Sequence, residues 1–173
     1  MSALDNTPDN KNFLSPLNFK FFIKKTPYTN FFIQKVNLPS IRLNQVDTSN
    51  PFVKTPYSGD HIDFGTLNIN FKVDEDLNNY LEIHKWIISL GFPENHDQYK
   101  DLSVKPVYTG DGIFSDITLS ILASTKTPNF EVTFVDAFPI SLSDVYFNTM
   151  DTTVNFLSAD ATFKYTHYTI SKL

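Results

Sequence analysis

The chain has 173 residues, of which 41% are hydrophobic and 19% are charged, with a formal net charge of -5 and no cysteine. This length and apolar content fit one globular domain with a single core, and they exclude a disordered polyelectrolyte. The acidic balance argues against a protein that grips nucleic-acid phosphates, and the lack of cysteine excludes disulfides, thiolate metal sites and cysteine nucleophiles.

The first elements along the chain are a polar segment and two apolar strands. Residues 1–12 lack an apolar run, so we expect a flexible N-terminal segment with no signal peptide or membrane helix. Apolar residues at alternate positions from Leu17 to Ile23 predict a first strand. A second strand is predicted from Phe31 to Val36, ended by Leu38-Pro39 because proline cannot donate to a ladder. We expect these two strands to pair as a hairpin.

From residue 39 to residue 65 the sequence is rich in Asn, Ser, Thr and Pro. Loops longer than about 12 to 15 residues are uncommon in a compact domain unless they have a function. We therefore interpret residues 39–65 as a long assembly arm. Large apolar side chains in a polar loop are typical of contact residues. The predicted subunit-interface residues are Ile41, Leu43, Phe52 and Tyr57.

A strand and a helix follow the arm. Alternating apolar residues from Leu67 to Val73 predict the strand. Asp74 stands where an N-cap is expected, with acidic residues after it, and Gly91 ends the helical pattern. These carboxylates could also belong to a glycosidase pair or a calcium loop, but EF-hand spacing is missing and capping is favoured. The predicted apolar face of the helix comprises Leu77, Tyr80, Leu81, His84, Ile87 and Ile88, widened by Ile83 and Trp86.

The second half of the chain again has strand patterns. Strands are predicted from Ile117 to Ile121 and from Phe130 to Val135, and residues 137–145 connect them to a last strand from Ala161 to Tyr168. We predict a mainly β (α+β) fold for residues 13–173. This single domain would be a two-sheet antiparallel β-sandwich or flattened barrel with one flanking α-helix.

Side chains with catalytic or metal-binding chemistry are scattered. Asp60, His61 and Asp63 are close in sequence, but a metal site needs three or four converging groups, and we interpret them as the entrance of a strand. His84 is expected to be a packed core imidazole. No G-x-S-x-G motif accompanies His167, and the five glycines form no phosphate-binding loop. We therefore predict no enzyme, with no catalytic residues, no cofactor and no metal.

Several short motifs follow one another between residues 13 and 170. A phenylalanine-rich start closed by Leu38-Pro39 is followed by a long loop, the strand Phe64–Phe71, and a helix that begins at Asp74-Glu75 and contains Trp86. The corner Phe138–Val145 and the closing strand Ala161–Tyr168 complete the series. This order resembles the tail-tube family of contractile-tailed bacteriophages, which shares its fold with type VI secretion tube proteins.

The resemblance implies a structural virion protein of the phage tail, made in the bacterial host cytoplasm. It implies six-subunit rings whose inner sheets join into a continuous β-barrel, and which stack into the tube that ejects the genome. The implied partners are other copies of the chain, the tail sheath protein, baseplate tube initiators and the tape-measure protein. Viral DNA would be met only in transit, without specific binding, and no membrane is implied. A major tube subunit and a baseplate tube-initiator ring both fit.

An acidic channel lining would repel DNA phosphates and let DNA slide. The candidate lumen-facing polar residues are Asp63, Asn68, Asn70, Asp116, Thr118, Glu131 and Thr133.

A carbohydrate-binding β-sandwich is the alternative from a different class, because exposed tyrosines can stack on sugar rings. A planar exposed row of tyrosines would favour sugar binding, and burial between chains would favour a ring. The tyrosines concerned are Tyr28, Tyr57, Tyr99, Tyr108 and Tyr168.

Overall fold

The computed structural model describes residues 11–91, 112–150 and 155–173. The strands in these ranges are β1 (Phe19–Ile23), β2 (Ile33–Val36), β3 (Ile41–Ser49), β4 (Lys54–Phe64), β5 (Leu67–Lys72), β6 (Ser115–Leu122), β7 (Pro128–Leu142), β8 (Ser158–Lys164) and β9 (His167–Lys172). The helices are α1 (Pro27–Phe32) and α2 (Asn78–Gly91). Within the described residues, neither helix has the length and apolar character needed to cross a membrane.

Seven strands form two antiparallel layers that share the long strand β7. Sheet A has the order β1-β6-β7-β9 and uses the first part of β7, whereas sheet B has the order β7-β8-β5-β2 and uses its last part. Between the two parts, Asp136 has a φ of 55° and the pairing with β6 is irregular near Ser115. Such irregularities bend a strand, which lets β7 pass from one layer to the other. The predicted two-sheet antiparallel fold is confirmed, as a sandwich that does not close into a barrel.

The core lies between the two sheets because alternate residues of each strand point inward. In β5 the buried residues are Leu67, Ile69 and Phe71, as the sequence pattern predicts. One hydrophobic cluster combines them with residues of both sheets, including Phe21, Ile23, Ile117, Leu119, Val132, Phe134, Ala159, Ala161 and Phe163.

Helix α2 packs on this core through Asn79, Ile83 and Trp86, which are spaced by four and three positions. The Trp86 Nε1 donates to the Ile113 carbonyl (3.0 Å), and the indole lies 6.1 Å from the ring of Phe163. Trp86 therefore links the entry of β6 in sheet A to β8 in sheet B.

The buried face of α2 differs from the predicted one. His84 is exposed and its imidazole stacks on Tyr80, with ring centroids 6.5 Å apart, so the prediction of a core histidine is wrong. The physical reason is the helical repeat: His84 follows the buried Ile83 by one residue and is therefore rotated by about 100° around the axis.

Helix α2 also begins later than predicted, at Asn78. The Leu77 amide donates to the Asp74 carbonyl (3.1 Å), and Leu77 has a φ of 59°. The buried carboxamide of Asn79 holds this turn by donating to the Lys72 carbonyl (2.7 Å) and accepting from the Asp74 amide (3.3 Å). The Asp74 Oδ1 is buried with no hydrogen-bond partner among the described residues, so the predicted Asp74 cap is wrong.

The start of the domain departs from the predicted hairpin. Phe31 and Phe32 end helix α1, because Pro27 favours a first helical turn and Glu82 of α2 stabilises it. The Glu82 carboxylate accepts from the amide and the hydroxyl of Thr29, both at 3.1 Å. Strands β1 and β2 do not pair with each other, since β1 adds to β6 and β2 adds to β5. The described residues thus contain a second helix that was not predicted.

Candidate assembly interface

Sheet A ends in two edge strands, β1 and β9, each paired on one side only among the described residues. Directly after β9, the Leu173 amide donates to the carbonyl of Asn129 (3.0 Å), which the register of β9 places opposite it. Because hydrogen-bonded pairs alternate in an antiparallel ladder, the backbone groups of Tyr168, Ile170 and Lys172 point away from β7. They form an open edge that another strand can pair with.

The edge at β1 is open at its start and closed at its end. The Leu122 amide donates to the Asn18 carbonyl (3.0 Å), so the backbone groups of Phe19, Phe21 and Ile23 point away from β6. At Ile23 the Asn30 carboxamide occupies this edge, accepting from the Ile23 amide (2.7 Å) and donating to its carbonyl (2.9 Å). Asn30 therefore limits the available edge to Phe19 and Phe21.

The arm predicted at residues 39–65 is not an unstructured loop. It forms the hairpin β3–β4, because cross-strand pairing satisfies its backbone groups. Every residue of β3 is exposed, so the hairpin projects from the body. The pairing shifts between Leu43 and Gln45, next to Gly59. A Cβ on Gly59 would meet the Asn44 carbonyl oxygen at 2.6 Å, which explains the glycine at this irregular position.

The root of the hairpin is fixed by aromatic side chains. The ring of Phe64 lies 6.1 Å from that of Tyr165 and 5.3 Å from that of Tyr168, whose hydroxyl donates to the Pro39 carbonyl (3.4 Å). The Tyr165 hydroxyl is buried with no hydrogen-bond partner among the described residues. Burial, followed by the nearby Tyr168 and Asp63, raises the pKa of Tyr165 to about 12.

All four predicted interface residues lie on the hairpin and are exposed. Ile41 and Leu43 of β3 pair with Phe64 and Ile62 of β4, and these cross-strand pairs share one apolar face. The other two residues lie farther along the hairpin: Tyr57 pairs with Val46, and Phe52, 94% exposed, lies in the turn at the tip.

The candidate lumen residues fall on three surfaces. Asn68 and Asn70 lie on the outer face of sheet B, where they bond to Thr162 (2.9 Å) and Asp160 (2.8 Å), and Asp63 lies near the hairpin root. The remaining four share the outer face of sheet A, because each alternates with a buried neighbour: Asp116, Thr118, Glu131 and Thr133.

The tyrosines of the carbohydrate hypothesis lie on separate elements. Tyr28 is on α1 and Tyr57 on β4, both exposed, whereas Tyr168 of β9 is half-buried against Phe64 and Phe134. Tyr99 and Tyr108 lie outside the described residues, as do residues 1–10 of the predicted flexible segment. The three described tyrosines do not form a planar row.

Across residues 11–91, 112–150 and 155–173 no three or more His, Asp or Glu side chains converge to hold a metal ion. His61 Nδ1 lies 3.1 Å from Asp60 Oδ1, with both side chains exposed. His167 is also exposed. The described surface is distinguished instead by exposed apolar groups and open strand edges, which suit assembly.

The fold is similar to those of contractile injection system proteins. A chain of the anti-feeding prophage cap, a tube-terminating cap, aligns with a TM-score of 0.63 and 11% identity over 100% of both chains. A chain of the PVC sheath–tube complex, from an extracellular contractile injection system in the extended state, aligns with a TM-score of 0.60 and 11% identity over 94% of both. A chain of the anti-feeding prophage baseplate aligns with a TM-score of 0.60 and 11% identity, covering 88% of this chain and 90% of the other.

The sequence itself gives a family match. Comparison with curated protein sequences finds no match. A model of the family described as phage tail tube protein matches residues 8–171, which is almost the whole chain. The chain is therefore a structural tube component and belongs to the phage tail tube protein family.

Proposed function

We propose that copies of this chain close into six-subunit rings that stack into the tail tube of a virion, the conduit for genome ejection. The number six comes from the family resemblance. The observation that carries the proposal is the pair of open edges on sheet A, β1 and β9, which a ring would pair with each other.

The directions of the edge strands support ring closure. Each neighbouring pair in the order β1-β6-β7-β9 is antiparallel, so β1 and β9 run in opposite directions. Strand β9 of one copy can therefore add to β1 of the next as another antiparallel pair, and four strands per copy keep the alternation through the ring. The exposed Ile170 of β9 would then continue the apolar layer of Phe19 and Phe21.

We assign the outer face of sheet A to the lumen. Asp116 and Glu131 outnumber the one basic residue of β1 on this face, Lys20, which pairs with Ser120, and they would repel DNA phosphates. Thr118 and Thr133 add uncharged polar groups. The outer face of sheet B points the opposite way, so Asn68 and Asn70 cannot line the same channel, and Asp63 belongs to the hairpin root.

The hairpin β3–β4 and the N-terminal segment would contact the ring above or below, through Ile41, Leu43, Phe52 and Tyr57 on the hairpin.

The outside of the tube would meet the sheath protein, the baseplate initiators would start the tube, and the tape-measure protein would occupy the lumen. The likeness to a baseplate chain favours a tube-initiator ring as the second candidate.

The proposal is tested at the open edge of β9. Ile170→Pro removes an outward-pointing backbone amide that β7 does not use, so the monomer should keep its fold, as edge-strand prolines generally allow. We expect rings and tubes in negative-stain electron microscopy of the wild-type protein and none for Ile170→Pro. Ile170→Ala is the matched control, since it shortens the side chain and keeps the amide. A wild-type protein that stays monomeric at high concentration, or an Ile170→Pro variant that still forms rings, contradicts the proposal.

A further inference from the structure

A cleft of about 660 Å³ lies beside the start of helix α2. Phe147 and Phe156 at this cleft are each 76% exposed, and the Lys72 Nζ lies 4.8 Å from the Phe156 ring. Exposed rings around a concave site are typical of a surface that is buried by a partner. The apolar walls of this α2 cleft are formed by Phe32, Val73, Leu77, Phe147, Phe156 and Leu157.

The rim of the α2 cleft is acidic. Asp74 and Glu75 line it and Asp76 follows, whereas Lys72 is the one basic residue among its described lining residues. None of the carboxylates of Asp74, Glu75 and Asp76 forms an ion pair with a basic residue within the described part of the chain, where the ion pair observed joins His61 to Asp60. The cleft therefore fits an apolar group that is followed closely by a cation.

The tip of the hairpin β3–β4 has this chemistry. Phe52 and Val53 are 94% and 63% exposed, and Lys54 follows as the first residue of β4. Because β3 contains nine residues, the tip lies roughly 30 Å from the hairpin root. The exposure of Phe52 shows that the tip is not docked in the cleft of its own chain.

We propose that the hairpin tip of one copy docks into the α2 cleft of another copy. Phe52 enters between the apolar walls, and the Lys54 ammonium meets the carboxylates of the rim. The proposal rests on the tube function proposed above and names the surface that receives the hairpin. The partner is thus a second copy of this chain.

Disulfide trapping tests the contact directly, since the chain has no cysteine of its own. Val53→Cys and Glu75→Cys are prepared as separate proteins, mixed under assembly conditions and oxidised. We expect a disulfide-linked heterodimer on a non-reducing gel, at least about tenfold above the control, because docking raises the effective thiol concentration. The control mixes Val53→Cys with Ser124→Cys, which places a thiol in the exposed turn between β6 and β7.

A charge exchange gives an independent measurement. Lys54→Glu should raise the protein concentration needed for tube growth about tenfold, because it places like charges at the rim. Combining it with Glu75→Lys should restore growth. Circular dichroism of each variant confirms that it is folded.

The outcomes separate the docking proposal from the tube proposal. Wild-type tubes without a specific heterodimer overturn docking and leave the tube function standing. Absence of both tubes and heterodimer overturns both. A sheath protein that binds the wild-type chain and not Glu75→Lys, with no heterodimer formed, assigns the cleft to that partner and overturns docking between copies.

Discussion

Gly59→Ala is expected to weaken assembly while leaving the protein folded. The added Cβ would lie 2.6 Å from the Asn44 carbonyl oxygen, where ordinary contact begins at 3.4 Å, so the backbone must move by about 0.8 Å. Forced shifts of this kind cost about 1–3 kcal/mol. Since β3 is exposed along its whole length, the distortion stays within the hairpin and does not reach the core. For a chain of this size the cost lowers the Tm by about 2–12 °C.

The measurement is the protein concentration at which tubes first appear, followed by light scattering and checked by electron microscopy. Docking requires the wild-type hairpin geometry, and recovering that geometry in the shifted variant should cost about 1–3 kcal/mol on assembly, which would raise this concentration about 5- to 150-fold. Gly91→Ala is the matched control, because a Cβ there meets no atom of the described residues within 4 Å and should leave both Tm and assembly unchanged. Equal assembly of Gly59→Ala and wild type would refute a role for hairpin geometry in tube growth.

Two further predictions concern stability. The raised pKa of Tyr165 means that the folded state keeps its proton while the unfolded state loses it, so the free energy of unfolding should fall by up to about 2.7 kcal/mol between pH 10 and 12. Tyr165→Phe should abolish this fall in a denaturant titration, and an unchanged pH dependence would count against the buried hydroxyl. Asn79→Ala should cost about 2–3 kcal/mol, because the buried carboxamide is lost from the turn before α2. In thermal unfolding Asp74→Ala is its control, and an equal loss in both variants would restore Asp74 as the cap.

The strands of the core could be predicted from the sequence because each has one buried face. Leu67, Ile69 and Phe71 alternate with polar residues, and this period of two is the pattern of a half-buried strand. The edges of these strands could not be predicted, since the pairing of β1 with β6 joins residues about 100 positions apart. Local patterns contain no information on such a distant partner.

The hairpin β3–β4 and the buried Asn79 were not predicted for reasons that lie in the local sequence. Strands β3 and β4 are exposed on both faces, so neither shows the alternation that marks a half-buried strand, and residues 39–65 resemble a loop. Asn79 was missed because a buried polar residue looks like a surface position in a hydrophobic pattern. By contrast, Phe52 and Tyr57 stand out as large apolar groups in polar surroundings, and the structure places both on the projecting hairpin.

Strand β7 belongs to both layers of the sandwich, and this has a mechanical consequence for a tube. One continuous run from Pro128 to Leu142 crosses from the proposed channel wall to the opposite sheet without an intervening loop. A pull on either sheet is therefore carried by covalent bonds into the other, which opposes sliding of one sheet over the other. A tube built from such subunits, as proposed above, should therefore resist bending and crushing along its length.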